Sequence, residues 1–321
     1  FNERYDLLHR KVYAAPPFDF DSVTENIYTP PEGYYTADHC VVHDGTGWHL
    51  FYVTGEVKYC EIWGEAYKKG DIETYRKYQY EIGDGHAAGR TLKELQFKDI
   101  ILTEPQGDFD GATRGNTHIV RYKDHWVALY QIRGPKGSAV CVARSDNLYD
   151  WIPDRKNPVF GPPGWANPWG QCKDVHIIPW KDAYLVYYIA LEKHNLQAVA
   201  LKVTEDFENF TEVGPVLIGP NMARGTRGME SPCVVERNGL WHLFFGWGIY
   251  GVWHAVSSRP DTFTGVELYC TDEGAPGKPT DYGIYAFAPF HAAEIFCHNG
   301  EWYATTTKKE ELRRRDCEKG I

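Results

Sequence analysis

The sequence predicts an all-β, five-bladed β-propeller, and three observations predict it. A β-hairpin pattern recurs five times along the 321 residues, four of the copies are followed by a matching third strand, and the copies are evenly spaced after the first. Residues Asp38, Asn116, Asp174, Glu230 and His291 mark the repeats, at intervals of 78, 58, 56 and 61 residues. Units repeating at such a period bury their apolar faces against one another, and radial repetition leaves only short, protected sheet edges.

The elements follow in order. Residues 1–36 are rich in Pro and aromatics and are expected to wrap a blade or to supply its outer strand. The hairpins are ADHCVVHDGTGWHLFYV from Ala37, GNTHIVRYKDHWVALYQI from Gly115, KDVHIIPWKDAYLVYYIA from Lys173, ESPCVVERNGLWHLFFGWG from Glu230 and HAAEIFCHNGEWYATTT from His291. Each has a short β-branched run, a turn carrying DG, KD or NG, and an aromatic-rich return strand. Third strands follow the first four hairpins, with Ala87, Ala143, Ala200 and Ala255 in matched places and Phe97, Trp151, Phe210 and Phe263 closing them. Residues 56–82 interrupt the first blade with a charged, Tyr-rich insertion that could form a short helix and shape the rim of a site. Residues 308–321 read as a helical surface tail, and with no linker or low-complexity block the whole of 1–321 reads as one domain.

Composition narrows the partners. Hydrophobic residues make up 43% and aromatics 15%, with 11 Trp and 22 Tyr, enough for a large core and for rings lining a sugar site. A net charge of -10 argues against nucleic acid, which is held largely by Lys and Arg. No apolar stretch approaches membrane-spanning length, and FNERYDLLHR has no signal-peptide hydrophobic core, so no membrane association is expected and the compartment stays open. The eight cysteines form no C-x-x-C pair and sit mostly in apolar strand patterns, such as those of Cys40, Cys233 and Cys297, and are expected to be buried free thiols.

In a propeller the innermost strands surround the axis, so residues at one repeat position converge on a central funnel. Asp38, Asn116 and Asp174 each lie three residues before an apolar pair, and Glu230 and His291 lie four before theirs. A single Asp at a strand entry is an ordinary turn residue. Three carboxylates at matched entries suit glycosidic cleavage, in which one acid protonates the leaving oxygen and one carboxylate activates water or attacks the anomeric carbon. A third negative charge raises the pKa of the acid and stabilises the cationic transition state.

In these contexts, ADHCVV, KDVHII and ESPCVV, the chain resembles the five-bladed propeller glycoside hydrolases of families 43 and 62 and their relatives in families 32, 68 and 117. The resemblance to family 43 implies a general base at Asp38, a modulator of pKa and substrate orientation at Asp174, and a general acid at Glu230. Family 32, a retaining group, holds a nucleophile, a transition-state stabiliser and an acid at the same positions. The motifs depart from both: Asp38 lacks the N-D-P-N-G context, and Asp174 lies in K-D-V rather than R-D-P. Arabinose and fructose furanosides in an oligosaccharide or polysaccharide are the substrates implied.

Around the acids, His86, Asn116, His118, His254 and His291 are candidate ligands for sugar hydroxyls, His86 and His254 being register equivalents in GHA and WHA. Trp165 and Trp169, in GPPGWANPWGQ, are candidate stacking platforms, with core packing as the competing role. Arg227 and Arg114, each in a T-R-G element, and Arg224 close to Glu230 could hold a substrate or orient Asp174. No local spacing such as H-E-x-x-H points to a catalytic metal, so no cofactor is required. The resemblance allows a structural calcium or sodium ion on the axis near His291. Two other readings stand beside hydrolysis: a non-catalytic carbohydrate-binding propeller, and a phosphorylase using the arginines for phosphate. A sialidase is disfavoured, because no S-x-D-x-G-x-T-W box occurs.

Overall fold

Strand formation follows the alternating pattern and its turns. In the computed structural model the described residues are 25–78, 83–103, 113–134, 137–168, 170–191, 196–219, 229–247, 252–270, 284–286 and 291–307. The first strand, β1 (Glu25–Tyr28), finds its partners at the far end of the sequence. Four antiparallel sheets then follow in chain order. They are β2 (His39–His43) to β5 (Gln96–Ile101), by way of β3 (Trp48–Thr54) and β4 (Gly83–Gly89); β6 (Thr113–Tyr122), β7 (His125–Gly134), β8 (Gly137–Ser145) and β9 (Ile152–Pro153); β10 (Cys172–Trp180), β11 (Ala183–Leu191), β12 (Gln197–Thr204) and β13 (Thr211–Ile218); and β14 (Met229–Arg237), β15 (Leu240–Trp247), β16 (Val252–Ser257) and β17 (Thr264–Cys270). A fifth sheet takes β18 (Ile284–Ala286), β19 (His291–His298) and β20 (Glu301–Thr307) in the order β1-β18-β20-β19.

The turns are built from the residues that read as turns. In the first hairpin Asp44 Oδ1 accepts from the amides of Thr46 at 2.7 Å and Gly47 at 2.8 Å. Asn238-Gly239 and Asn299-Gly300 have positive φ at both residues, 56° and 77° and then 52° and 80°, as two-residue hairpin turns require.

Closure makes the architecture a β-propeller. The innermost strands β2, β6, β10, β14 and β19 touch in that order, and β19 returns to β2. Apolar layers fill the spaces between neighbours: Leu129, Val140 and Val142 pack with Val186 and Tyr188 between blades two and three, and Leu185, Tyr187 and Val199 with Leu243 and Phe245 between three and four. β1 pairs with β18 (Glu25 with Ala286, Tyr28 with Ile284), so the N-terminal region does supply an outer strand, that of the fifth sheet. The third strand of that sheet, β18, precedes its hairpin in sequence, which is why only four third strands follow hairpins.

The structure corrects four sequence expectations. The insertion carries two helices, α1 (Val57–Lys69) and α2 (Ile72–Lys77), the second capped by Asp71, whose side chain accepts from Thr74 N at 3.0 Å. Ala200 is two residues out of register with the other alanines: Val41 faces Leu50 and Ala87, whereas the matching Ile177 faces Val186 and Lys202. Lys202 occupies the alanine position of blade three because Glu212, 2.5 Å from its ammonium, neutralises it there. Among the cysteines, Cys40, Cys141, Cys172 and Cys233 are buried free thiols, but strand alternation turns Cys297 outward and exposed. The fourth correction, the register of Glu230, belongs to the functional site below.

Close backbone approach fixes one glycine. A Cβ on Gly89 would lie 2.3 Å from Glu94 O and 2.5 Å from its carbonyl carbon, and neither can rotate away. Gly89→Ala is expected to cost about 1–3 kcal/mol, read as a lower denaturant midpoint at unchanged slope.

Candidate functional site

The site is made by a kink repeated in four inner strands. Pairing slips between Gly115 and His118, Lys173 and His176, Glu230 and Cys233, and His291 and Glu294. Within each slip one residue takes a left-handed backbone: Asn116 (φ 55°), Asp174 (55°), Ser231 (51°) and Ala292 (54°). Such bulges bend a strand and re-aim its side chains, and they are common beside active sites. Asn and Asp tolerate this conformation best, which fits their use at two of the four positions.

Ser231, not Glu230, is therefore the blade-four equivalent of Asp38, Asn116 and Asp174, and Ala292, not His291, that of blade five. Glu230 and His291 sit one residue upstream, in line with Lys173, facing Gly246 and Thr307 as Lys173 faces Ile189. The offset is present in the sequence, where Glu230 and His291 lie four residues before their apolar pairs and the other three lie three before theirs.

The structure nonetheless brings the three carboxylates into one network. The Asn116 amide nitrogen donates to Asp38 Oδ2 at 2.9 Å and to Asp174 Oδ1 at 2.6 Å. Ser231 N donates to Asp174 Oδ2 at 3.1 Å, and the Lys173 ammonium lies 2.9 Å from the same oxygen and 3.4 Å from Glu230 Oε1. Asp174 is buried, while Asp38 and Glu230 are partly exposed. Burial, opposed by Lys173 and reinforced by the charges of Asp38 and Glu230, pushes Asp174 up to about 6. Lys173 is held above its ordinary value: burial opposes its charge, but Asp174 and Glu230 outweigh that. Asp174 is thus held in place by donors on both oxygens, with the more accessible Asp38 and Glu230 at the two ends of the network.

Two members of this network carry no readable motif. Lys173 joins Asp174 to Glu230. Asp84, fully buried on β4, accepts from Asn116 N at 3.1 Å and from the Thr117 hydroxyl. A signal for Asp84 existed: in the observed register it stands where blades two, three and four carry Val140, Val199 and Val252.

Two residues further along each inner strand comes a second ring, Cys40, His118, His176, Cys233 and Glu294, all buried. His118, His176 and Glu294 line the same funnel as Asp38, Asn116 and Asp174. Burial pushes Glu294 up to about 7, His118 down to about 3 and His176 to about 4, so near neutral pH both imidazoles are neutral and Glu294 is only partly charged. His118, expected to meet sugar, lies in this deeper ring.

The other candidates fall elsewhere. His86 pairs with His49 at 2.9 Å and stacks on Phe51, its centroid 4.5 Å away, and His254 pairs with His242 at 3.0 Å and stacks on Phe244 at 4.8 Å. They are register equivalents as expected, but the same places hold Val127 with Val142 in blade two and Leu185 with Leu201 in blade three. Each imidazole pair thus replaces an apolar pair in the core, away from the residues lining the funnel. Trp165 packs on the core between blades two and three and donates to Glu212 Oε1 at 3.3 Å, so packing is its role. His291 starts β19, with its side chain outside what is described. Trp169, Arg224 and Arg227 lie outside the described residues.

Calcium takes six to eight oxygen ligands. The second ring offers two thiols, two imidazoles and one carboxylate, which fits neither calcium nor sodium.

No protein-family model matches the chain. No curated protein matches it either. Solved structures match over most of its length. A family-43 enzyme of Xanthomonas citri complexed with xylose superposes with a TM-score of 0.60 at 12% identity, over 88% of this chain and 83% of that one. An exo-1,5-α-L-arabinanase from a bovine ruminal metagenomic library gives 0.55 at 13%, over 89% of each. A family-32 β-fructofuranosidase of Bombyx mori gives 0.56 at 15%, over 95% of this chain and 62% of that one. The fold is therefore that of propeller glycoside hydrolases.

Proposed function

We propose that the chain is a glycoside hydrolase, a single catalytic domain spanning 1–321, that cleaves a furanosidic bond in an oligosaccharide with Glu230 as general acid and Asp38 as general base or nucleophile. One observation carries the reading: two partly exposed carboxylates, Asp38 in the funnel wall and Glu230, are tied into one network through Asn116, the buried Asp174 and Lys173. The Xanthomonas citri and Bombyx mori structures support the reaction class by their shared fold, and the fructofuranosidase and arabinanase support a furanose.

Glu230 gives its proton to the glycosidic oxygen as the bond to the anomeric carbon breaks. Water adds to that carbon and loses a proton to Asp38, or Asp38 adds first and water then releases the sugar, returning the proton to Glu230. Lys173 is closer to Asp174 than to Glu230, 2.9 against 3.4 Å, so its charge is spent mainly on the buried Asp174. Asp174 in turn fixes Asn116, which holds Asp38.

The test is a screen of aryl arabinofuranosides, fructofuranosides and xylopyranosides with the wild type, Asp38→Asn and Glu230→Gln. Turnover of a furanoside in phosphate-free buffer, lost in both variants, is the expected result. Full activity in both variants overturns the assignment. Binding without turnover of any substrate makes the protein a sugar-binding propeller, and phosphate dependence makes it a phosphorylase.

Asp84 gives a second test, because Val is accommodated at its three equivalents. Asp84→Val is expected to leave circular dichroism unchanged and to lower turnover roughly 10- to 100-fold, as Asn116 loses the acceptor that positions it.

A further inference from the structure

The second ring lies outside the proposed reaction. It holds two overlapping donor groups, His176 with Cys233 and Glu294, and Cys40 with His118 and Glu294, the ligand atoms in each lying within 4.8 Å of one another. All five residues are buried, so none is placed to meet a substrate first.

Hydrogen bonds fix how the imidazoles face. His176 Nε2 lies 2.9 Å from Val234 O, an acceptor only, so the neutral ring donates there and its Nδ1 carries a bare lone pair. That Nδ1 looks towards Glu294 Oε2, 3.9 Å away. Metal-binding histidines are oriented in this way, through a backbone carbonyl on the far nitrogen. His118 has the opposite arrangement: its Nδ1 accepts from Ile177 N at 3.3 Å, so in the neutral ring Nε2 bears the proton, 3.4 Å from Glu294 Oε1. One carboxylate oxygen thus has the His118 ring beside it and the other faces His176, with the Cys233 thiol within 4.8 Å of the group.

We propose that this ring is a metal site for one divalent cation of the zinc class, held by Cys233 Sγ, His176 Nδ1 and Glu294, with His118 orienting the carboxylate and Cys40 closing its other side. Sulfur and imidazole nitrogen are the donors such ions prefer, and hard cations such as calcium avoid them. Binding displaces the Cys233 thiol proton to solvent, and one thiolate with one carboxylate balances the charge of the ion. The ion ties β10, β14 and β19, the inner strands of three successive blades, and is independent of the hydrolase reading.

The experiment uses the full chain, stripped with a chelator and titrated with cobalt(II), zinc or calcium. Cobalt is expected to produce a thiolate-to-metal charge-transfer band in the near ultraviolet, and zinc to displace it. Zinc at a hundredfold excess over its Kd is expected to raise Tm by roughly 5 °C, and millimolar calcium to leave it unchanged. Cys233→Ser should abolish the band, and Glu294→Gln should weaken zinc at least roughly tenfold. Cys297→Ser, which removes an exposed thiol of the same strand, should keep both. A wild type that shows no band and no zinc-dependent shift overturns the proposal without reference to any variant. So does a band that survives in Cys233→Ser, or a Tm raised by calcium alone.

Discussion

Glu230→Gln is expected to lower kcat roughly 10²- to 10⁴-fold on a substrate with a poor, alkyl leaving group and to spare most of the activity on a dinitrophenyl one. The difference follows from what a general acid does. An alkoxide leaves only if it is protonated as the bond breaks, whereas a dinitrophenolate needs no proton. Asp38→Asn should be damaging with both leaving groups, because the anomeric carbon needs an activated water or a nucleophile whichever group departs. The anomer formed first, observed by NMR, then assigns Asp38: retention makes it the nucleophile and inversion the base. Equal losses on the two leaving groups in Glu230→Gln would remove Glu230 from the role of acid. The acid limb of the wild-type profile should follow Asp174, which takes up a proton as pH falls through about 6 and then releases its hold on Lys173.

The second large effect concerns stability. His86 is pushed down to about 3 and His242 and His254 to about 4, chiefly by burial, and burial lowers His49 as well, against the pull of Asp44. An unfolded imidazole titrates near 6.5. Above that pH both states are neutral and the pairs cost nothing. Below it the unfolded chain binds protons that the folded chain refuses, so stability falls as pH drops from about 6.5 towards 4. Each of the most buried imidazoles, His86 and His254, removes up to about 1.4 kcal/mol per pH unit in that window. The protein's own blades supply the control. His49→Val with His86→Val copies blade two, and His242→Leu with His254→Leu copies blade three. Both double variants are expected to match the wild type near pH 7.5 and to lose less of their urea midpoint between pH 6.5 and 4.5. An unchanged acid slope in both would remove the imidazole pairs as its cause.

The propeller was legible in the sequence because hairpin alternation and NG or DG turns are local, and each blade repeats them. Asp38, Asn116 and Asp174 were legible for the same reason, as repeat positions. Glu230 was found, but it was grouped with the bulge positions although its spacing of four residues to Val234, against three in the other blades, already set it one residue upstream of Ser231. Lys173 and Asp84 were missed because their meaning depends on neighbouring blades: one bridges to Glu230 across 57 residues, and the other caps a strand of the next blade. His86 and His254 misled because a histidine in a strand reads as polar until its partner across the sheet is seen. Trp165 misled for a similar reason, its packing partners arriving from two blades.

The pairing of β1 with β18 imposes an order of assembly. The strand synthesised first among those described can have no partner until some 250 residues later have been made. Blades one to four can stack as they emerge, but the ring stays open, and Glu294 absent from its axis, until the last hairpin arrives. Folding therefore ends in a long-range closure, a contact whose loop entropy is large and whose formation is correspondingly slow. Until that step the nascent chain carries Asp38, Asp174 and Glu230 on an unclosed arc, and the funnel gains its last wall, Ala292 to Glu294, only with the closing of the circle.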